Sequence, residues 1–150
     1  MHFVRTPVSI EAVIRQTGLP DRQVEVALER DGQRLWLAGL GSVCENKADP
    51  ARAIPRAVAK EPVILLAHEP DILPDMARYN VDLMLSGHTH GGQVRIPFLP
   101  PLHLPKYGER YVEGLFRHGP TQLYVNRGIG SVEVPFRFRC PPEITVLTLA

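Results

Sequence analysis

Leu83-Met84-Leu85-Ser86-Gly87-His88-Thr89-His90-Gly91-Gly92-Gln93 is an apolar run that ends in two imidazoles set one residue apart and framed by three glycines. An apolar run of that length bounded by a glycine turn reads as a buried strand followed by a tight loop. In an extended loop, residues i and i+2 point to the same side, so His88 and His90 are expected to face one ion while Thr89 points away. Glycine has no Cβ, so Gly87, Gly91 and Gly92 allow positive φ and close approach of main chain to a bound oxyanion. The plainer alternative is a flexible polar turn with two solvated histidines.

Upstream, Val63-Ile64-Leu65-Leu66-Ala67 is a second short apolar run, preceded by Pro62 and followed by His68. Both runs are apolar throughout rather than alternating, the pattern of parallel strands buried on both faces. The segment Asp71 to Asn80 between them reads as a crossover helix, with Asp71 placed to cap it. Such a unit is right-handed and brings both strand ends to one sheet edge, where open α/β sheets bind ligands. His68, His88 and His90 are therefore expected to converge at the ends of two adjacent parallel strands. Three imidazoles suit zinc, manganese or iron better than calcium or magnesium, which prefer oxygen.

The pair LLAHEPD (65 to 71) and LMLSGHTHGGQ (83 to 93) resembles the last two motifs of the calcineurin-like metallophosphoesterases. The likeness continues through RIPFLPPLHLPKYGERYVEGL, LYVNRGIG and CPPEITVLTL, and this combination is similar to a bacterial phosphodiesterase branch that includes UDP-2,3-diacylglucosamine hydrolases. It runs from about the Arg30-Asp31-Gly32 turn onward. The resemblance implies an α/β fold, part of a four-layer α/β/β/α sandwich, and hydrolysis of phosphodiester or pyrophosphate bonds by metal-activated water. It implies two divalent transition-metal ions, Mn, Zn or Fe, with His68 and His88 as ligands of one and His90 of the other. The implied partner is a small phosphoester substrate, including a nucleotide-linked lipid. Arg127, in Asn-Arg-Gly-Ile-Gly, either faces a substrate phosphate or is a surface loop arginine.

The family's Asp-x-His, Gly-Asp and Gly-Asn-His motifs, which supply the other ligands and the bridging aspartate, do not occur, and Gly41 stands where a further family aspartate is expected. The 150 residues thus read as a single partial domain, the carboxyl-terminal portion, whose amino-terminal strands are missing. Two expectations follow: phosphodiester hydrolysis far slower than an intact family member's, and an exposed strand edge that favours self-association. Two other readings stay open, a mononuclear three-histidine zinc enzyme and an inert metal-binding remnant. A cupin-like site is disfavoured, because it expects a glutamate soon after His-x-His and the next acid is Glu109.

Composition bounds the rest. At 44% apolar with a net charge of +1, the chain has enough apolar residues for one core and no charge run to argue for nucleic acid. It shows neither a span-length apolar stretch nor a signal pattern at Met1 to Pro7, so it reads as cytoplasmic as written; an upstream targeting segment outside it is compatible with that. Cys44 and Cys140 are far apart and read as ordinary thiols. Thr6-Pro7 is expected to open a helix with Ile10, Val13 and Ile14 on one face, followed by a hairpin turning at Asp31-Gly32. Asp49-Pro50 should cap a second helix running to about Lys60, and strands are expected at Arg110 to Phe116, Gln122 to Val125 and Ile144 to Leu149. Pro97 to Pro105, rich in proline and apolar residues, reads as a wall beside the site, a packed loop or a peripheral membrane contact. His103 and His118 read as solvated, and Glu69 and Asp71 as acceptors that orient His68.

Overall fold

The computed structural model describes residues 11–16, 24–54 and 61–148. Its described strands form one mixed sheet of seven, built from Glu11–Gln16 (β1), Val24–Arg30 (β2), Gln33–Leu40 (β3), Val63–Ala67 (β4), Leu83–Ser86 (β5), Gly114–His118 (β6) and Thr121–Val125 (β7), in the order β1-β2-β3-β4-β5-β7-β6. With the helices Pro50–Ala53 (α1) and Leu73–Met76 (α2), this is an α/β arrangement.

The hairpin is present: β2 and β3 pair from Arg30↔Gln33, and Asp31 and Gly32 both take positive φ (51° and 75°). Two left-handed residues match the turn to the right-handed twist of the strands. From there β3, β4, β5 and β7 run parallel, and their registers place Ala67 beside Leu40 and Ser86 beside Val125. The carboxyl ends of β4 and β5 therefore lie side by side, as the strand–crossover–strand pattern requires.

Burial along the central strands differs from the expectation. Val63, Leu65 and Met84 are fully buried, whereas Leu66 is 43% exposed. The core residues Ile54, Ile72, Leu73, Met76 and Tyr111 cluster with Val63, Leu65, Met84 and Leu123, which all lie on one face of the sheet. Alternation is thus a packing result that the uniformly apolar runs do not reveal.

Several local expectations are corrected. Residues 11–16 are strand, not helix, because the β-branched Val13 and Ile14 lie opposite Ala27 and Val26 in an antiparallel ladder; residues 6–10 lie outside the described residues. Asp49 does cap α1, accepting from the Arg52 N–H at 3.1 Å, but the helix ends at Ala53 ahead of Pro55, and residues 55–60 lie outside the description. The crossover is a 3₁₀ turn, Pro70–Ile72, running into the four-residue α2, and Asp71 does not cap it. The Asp71 carboxylate instead accepts from the backbone N–H groups of Glu109, Arg110 and Tyr111, at 2.9 to 3.2 Å. With those donors spent, the strand expected from Arg110 begins only at Gly114. Residues 144–148 form no strand; Ile144 and Val146 are exposed.

Candidate metal centre

His68 follows β4 directly and His88 lies two residues beyond β5, so the parallel register delivers both imidazoles to one sheet edge. Gly87 ties the two ends together by donating its N–H to the His68 carbonyl. His88 Nδ1 lies 3.0 Å from His68 Nε2, and the rings meet edge to face with centroids 4.6 Å apart. On its other side His88 Nε2 contacts the Lys106 carbonyl at 2.9 Å. A carbonyl oxygen only accepts, so that contact places a proton on Nε2 and leaves Nδ1 of the neutral ring with its lone pair toward His68. A backbone carbonyl holding the far nitrogen is the usual way a ligating imidazole is oriented.

His90 is not brought to this pair. Its Nδ1 lies 3.4 Å from the Gly130 carbonyl, and its own carbonyl accepts from Arg137. The assumption of an extended loop is what fails: His88 and His90 have φ of 68° and 50°, with Thr89 helical between them, so the chain coils and the alternation that would set both side chains on one side is lost. The Thr89 hydroxyl anchors the coil, donating to the Val112 carbonyl at 2.7 Å and accepting from the Gly91 N–H. Among the described residues no three His, Cys, Asp or Glu side chains are grouped to share an ion.

The acids beside His68 do other work. Glu69 is 1% exposed and accepts from the Ser42 hydroxyl and from the Val43 and Cys44 N–H groups. Burial pushes its carboxyl up, but these donors outweigh that and hold it below the usual range. It therefore pins the loop after β3 rather than His68. Arg127 is held by Glu143 at 2.7 Å, with Glu113 at 3.5 Å. His103 and His118 are exposed, and both cysteines are free, with Cys140 buried against the His90 and Gly91 carbonyls. Two further participants have roles that the sequence does not assign. The Lys106 carbonyl has no side-chain signature, and Gln93, buried beneath the turn, clamps Val132 and Val134 through both ends of its amide.

Glu143 carries a pH consequence. Hydrogen bonds from the Tyr124 hydroxyl, then Thr145 and Arg127, lower its carboxyl from an ordinary 4.5 to about 2. A depressed carboxyl stabilises the fold fully above its unfolded value, and that contribution is lost as pH falls through the folded one. Thermal melts between pH 5 and 2 should therefore show a shallower loss for Glu143→Gln than for the unmodified chain. Parallel acid limbs would show that Glu143 is not held this way.

No protein-family model matches the chain, and no solved structure matches it. Curated proteins do. The chain is 44% identical over 119 residues to an uncharacterized metallophosphoesterase of Bacillus subtilis, YkuE, covering 79% of this chain and 42% of that one. It is 40% identical over 113 residues to the phosphodiesterase YaeI of Escherichia coli, covering 75% and 40%. Against LpxG of Chlamydia muridarum, a UDP-2,3-diacylglucosamine pyrophosphatase, it is 31% identical over 125 residues, covering 74% and 36%. The chain thus spans about two fifths of the length of these three relatives.

The histidine pair suits an ion of the kind such proteins use. Its N···N distance of 3.0 Å is close to the roughly 3.3 Å between nitrogens bound tetrahedrally at about 2.0–2.1 Å. Both donors are imidazole nitrogens, a ligand type of divalent transition metals.

Proposed function

Because this chain belongs to the metallophosphoesterases by its relatives, we propose that it carries part of a hydrolytic centre for phosphodiester or pyrophosphate bonds, with His68 and His88 holding one divalent ion. The observation that carries the reading is the His68–His88 contact of 3.0 Å at adjacent parallel strand ends, with Lys106 fixing the second ring. Held by His68 and His88, such an ion would supply Lewis-acid polarisation of a phosphoryl oxygen and would acidify water. The protein's own part is to present two unprotonated nitrogens. His88 already does so. His68 does so once its proton sits on Nδ1.

His90, the implied ligand of a second ion, lies apart, and the bridging aspartate motifs are not in this sequence. One ion on two imidazoles gives less charge stabilisation than a two-ion clamp, so turnover by this chain is slow. The name of the Chlamydia relative points to a lipid-linked nucleotide diphosphate as the substrate class. The test is manganese-supported hydrolysis of bis-p-nitrophenyl phosphate by the purified chain before and after chelation. Turnover that falls at least about tenfold on chelation is expected. Turnover unchanged by chelation, or none above a protein-free blank, would overturn the reading.

A further inference from the structure

Two loops beside the centre carry large apolar side chains outward. Phe98 is fully exposed, and Leu99 and Leu102 are more than half exposed. Across the turn, Val134, Phe136 and Phe138 are exposed as well. Both loops are fastened to one short segment. A Cβ at Gly92 would come within 2.6 Å of Pro101, and Phe138 bridges Val94 while its carbonyl accepts from Arg95. The two sets of side chains therefore belong to one region of the surface. Phe98 is held in the left-handed region at φ 68°, which is costly for a residue with a Cβ. A strained backbone that presents a bare aromatic ring is a sign of use rather than of packing.

The charge around these side chains is one-sided. Arg95 is paired with Glu113 at 2.6 Å and Arg137 donates to the His90, Arg127 and Gly130 carbonyls, which leaves Lys106 and Arg139 as the cations beside these loops, against Glu133 alone within residues 93–106 and 131–139. Projecting apolar tips on proline-stiffened loops, flanked by cations, match a surface that is soft, apolar at depth and anionic at its rim. We infer that loops 96–102 and 132–138 together dock this protein on an anionic lipid surface. Docking there sets the centre at headgroup level, because the Lys106 carbonyl holds His88 and the 132–134 segment is clamped by Gln93 just beyond His90.

The inference does not depend on hydrolysis, so it is tested without metal, by sedimentation with vesicles of phosphatidylcholine alone or mixed with phosphatidylglycerol. The chain should bind the mixed vesicles and release them as salt rises. Phe98→Ser with Leu99→Ser should weaken binding by about tenfold or more. Lys106→Gln and Arg139→Gln should weaken it by about fivefold each. Leu115→Ser, an equally exposed leucine on edge strand β6, should bind as the unmodified chain does. Phe136→Ser provides a second apolar variant should the first fail to fold, and circular dichroism checks each. Absent binding, equal binding to both vesicle types, or an equal loss in Leu115→Ser would overturn the inference. So would a dimer by light scattering that Phe98→Ser with Leu99→Ser dissolves while vesicles are ignored, since the face would then belong to a second copy.

Discussion

Replacing His88 by alanine is expected to weaken binding of zinc or manganese to this chain by about a hundredfold or more, whereas His90→Ala should leave it within about threefold. The contrast comes from geometry that the His-x-His spacing conceals. His88 faces His68 at 3.0 Å, while His90 turns to the Gly130 carbonyl. His68→Ala should match His88→Ala, and the double variant should be hardly worse than either, because two ligands of one ion act as a unit. Isothermal calorimetry on the four variants decides it. An equal loss in His90→Ala would show that the turn uncoils to bring three imidazoles onto the ion. Loss in His90→Ala alone would place the ion elsewhere.

The largest effect on stability is expected at Gly91. Its φ is +62°, and an added Cβ would come within 2.6 Å of Arg127 Cγ and 2.7 Å of Cys140 Sγ. Left-handed strain costs a residue with a Cβ roughly 1–2 kcal/mol, and overpacking adds about 1–3 kcal/mol. Gly91→Ala should therefore destabilise the fold by about 2–5 kcal/mol, a drop in melting temperature of about 5–15 °C at this size. Gly128→Ala is the control. Its φ is +69° but nothing lies within 4 Å of the added atom, so it should cost only the strain. Equal losses at the two positions would mean that the Arg127 and Cys140 side chains move aside, and that the turn is not wedged between them.

The coiled turn also shows where reading the chain by pattern stops. Local chemistry suffices for the Asp31-Gly32 hairpin, the Asp49 cap and the strands ending just before His68 and His88, because each depends on residues within a few positions of one another. It also suffices for bringing His68 and His88 together, since two parallel strands joined by a crossover have their ends on one edge. It fails for residues 11–16, where apolar spacing suits a helix but pairing with β2 makes a strand. Asp71 is the same kind of case. As a helix-cap residue type near a helix start it reads as a cap, yet its carboxylate takes three backbone donors from residues 109–111.

The sequence by itself determined the α/β character, the parallel edge and the two histidines that meet there, because strand order and crossover hand are set by short-range pattern and chirality. Only the tertiary structure decided that His90 leaves the pair, that Glu69 serves the Ser42 loop, and that the Lys106 carbonyl orients His88. Each of these rests on a hydrogen bond between residues from 18 to 40 positions apart. A backbone carbonyl is present at every residue, so nothing in the sequence marks which one a folded chain will bring to an imidazole.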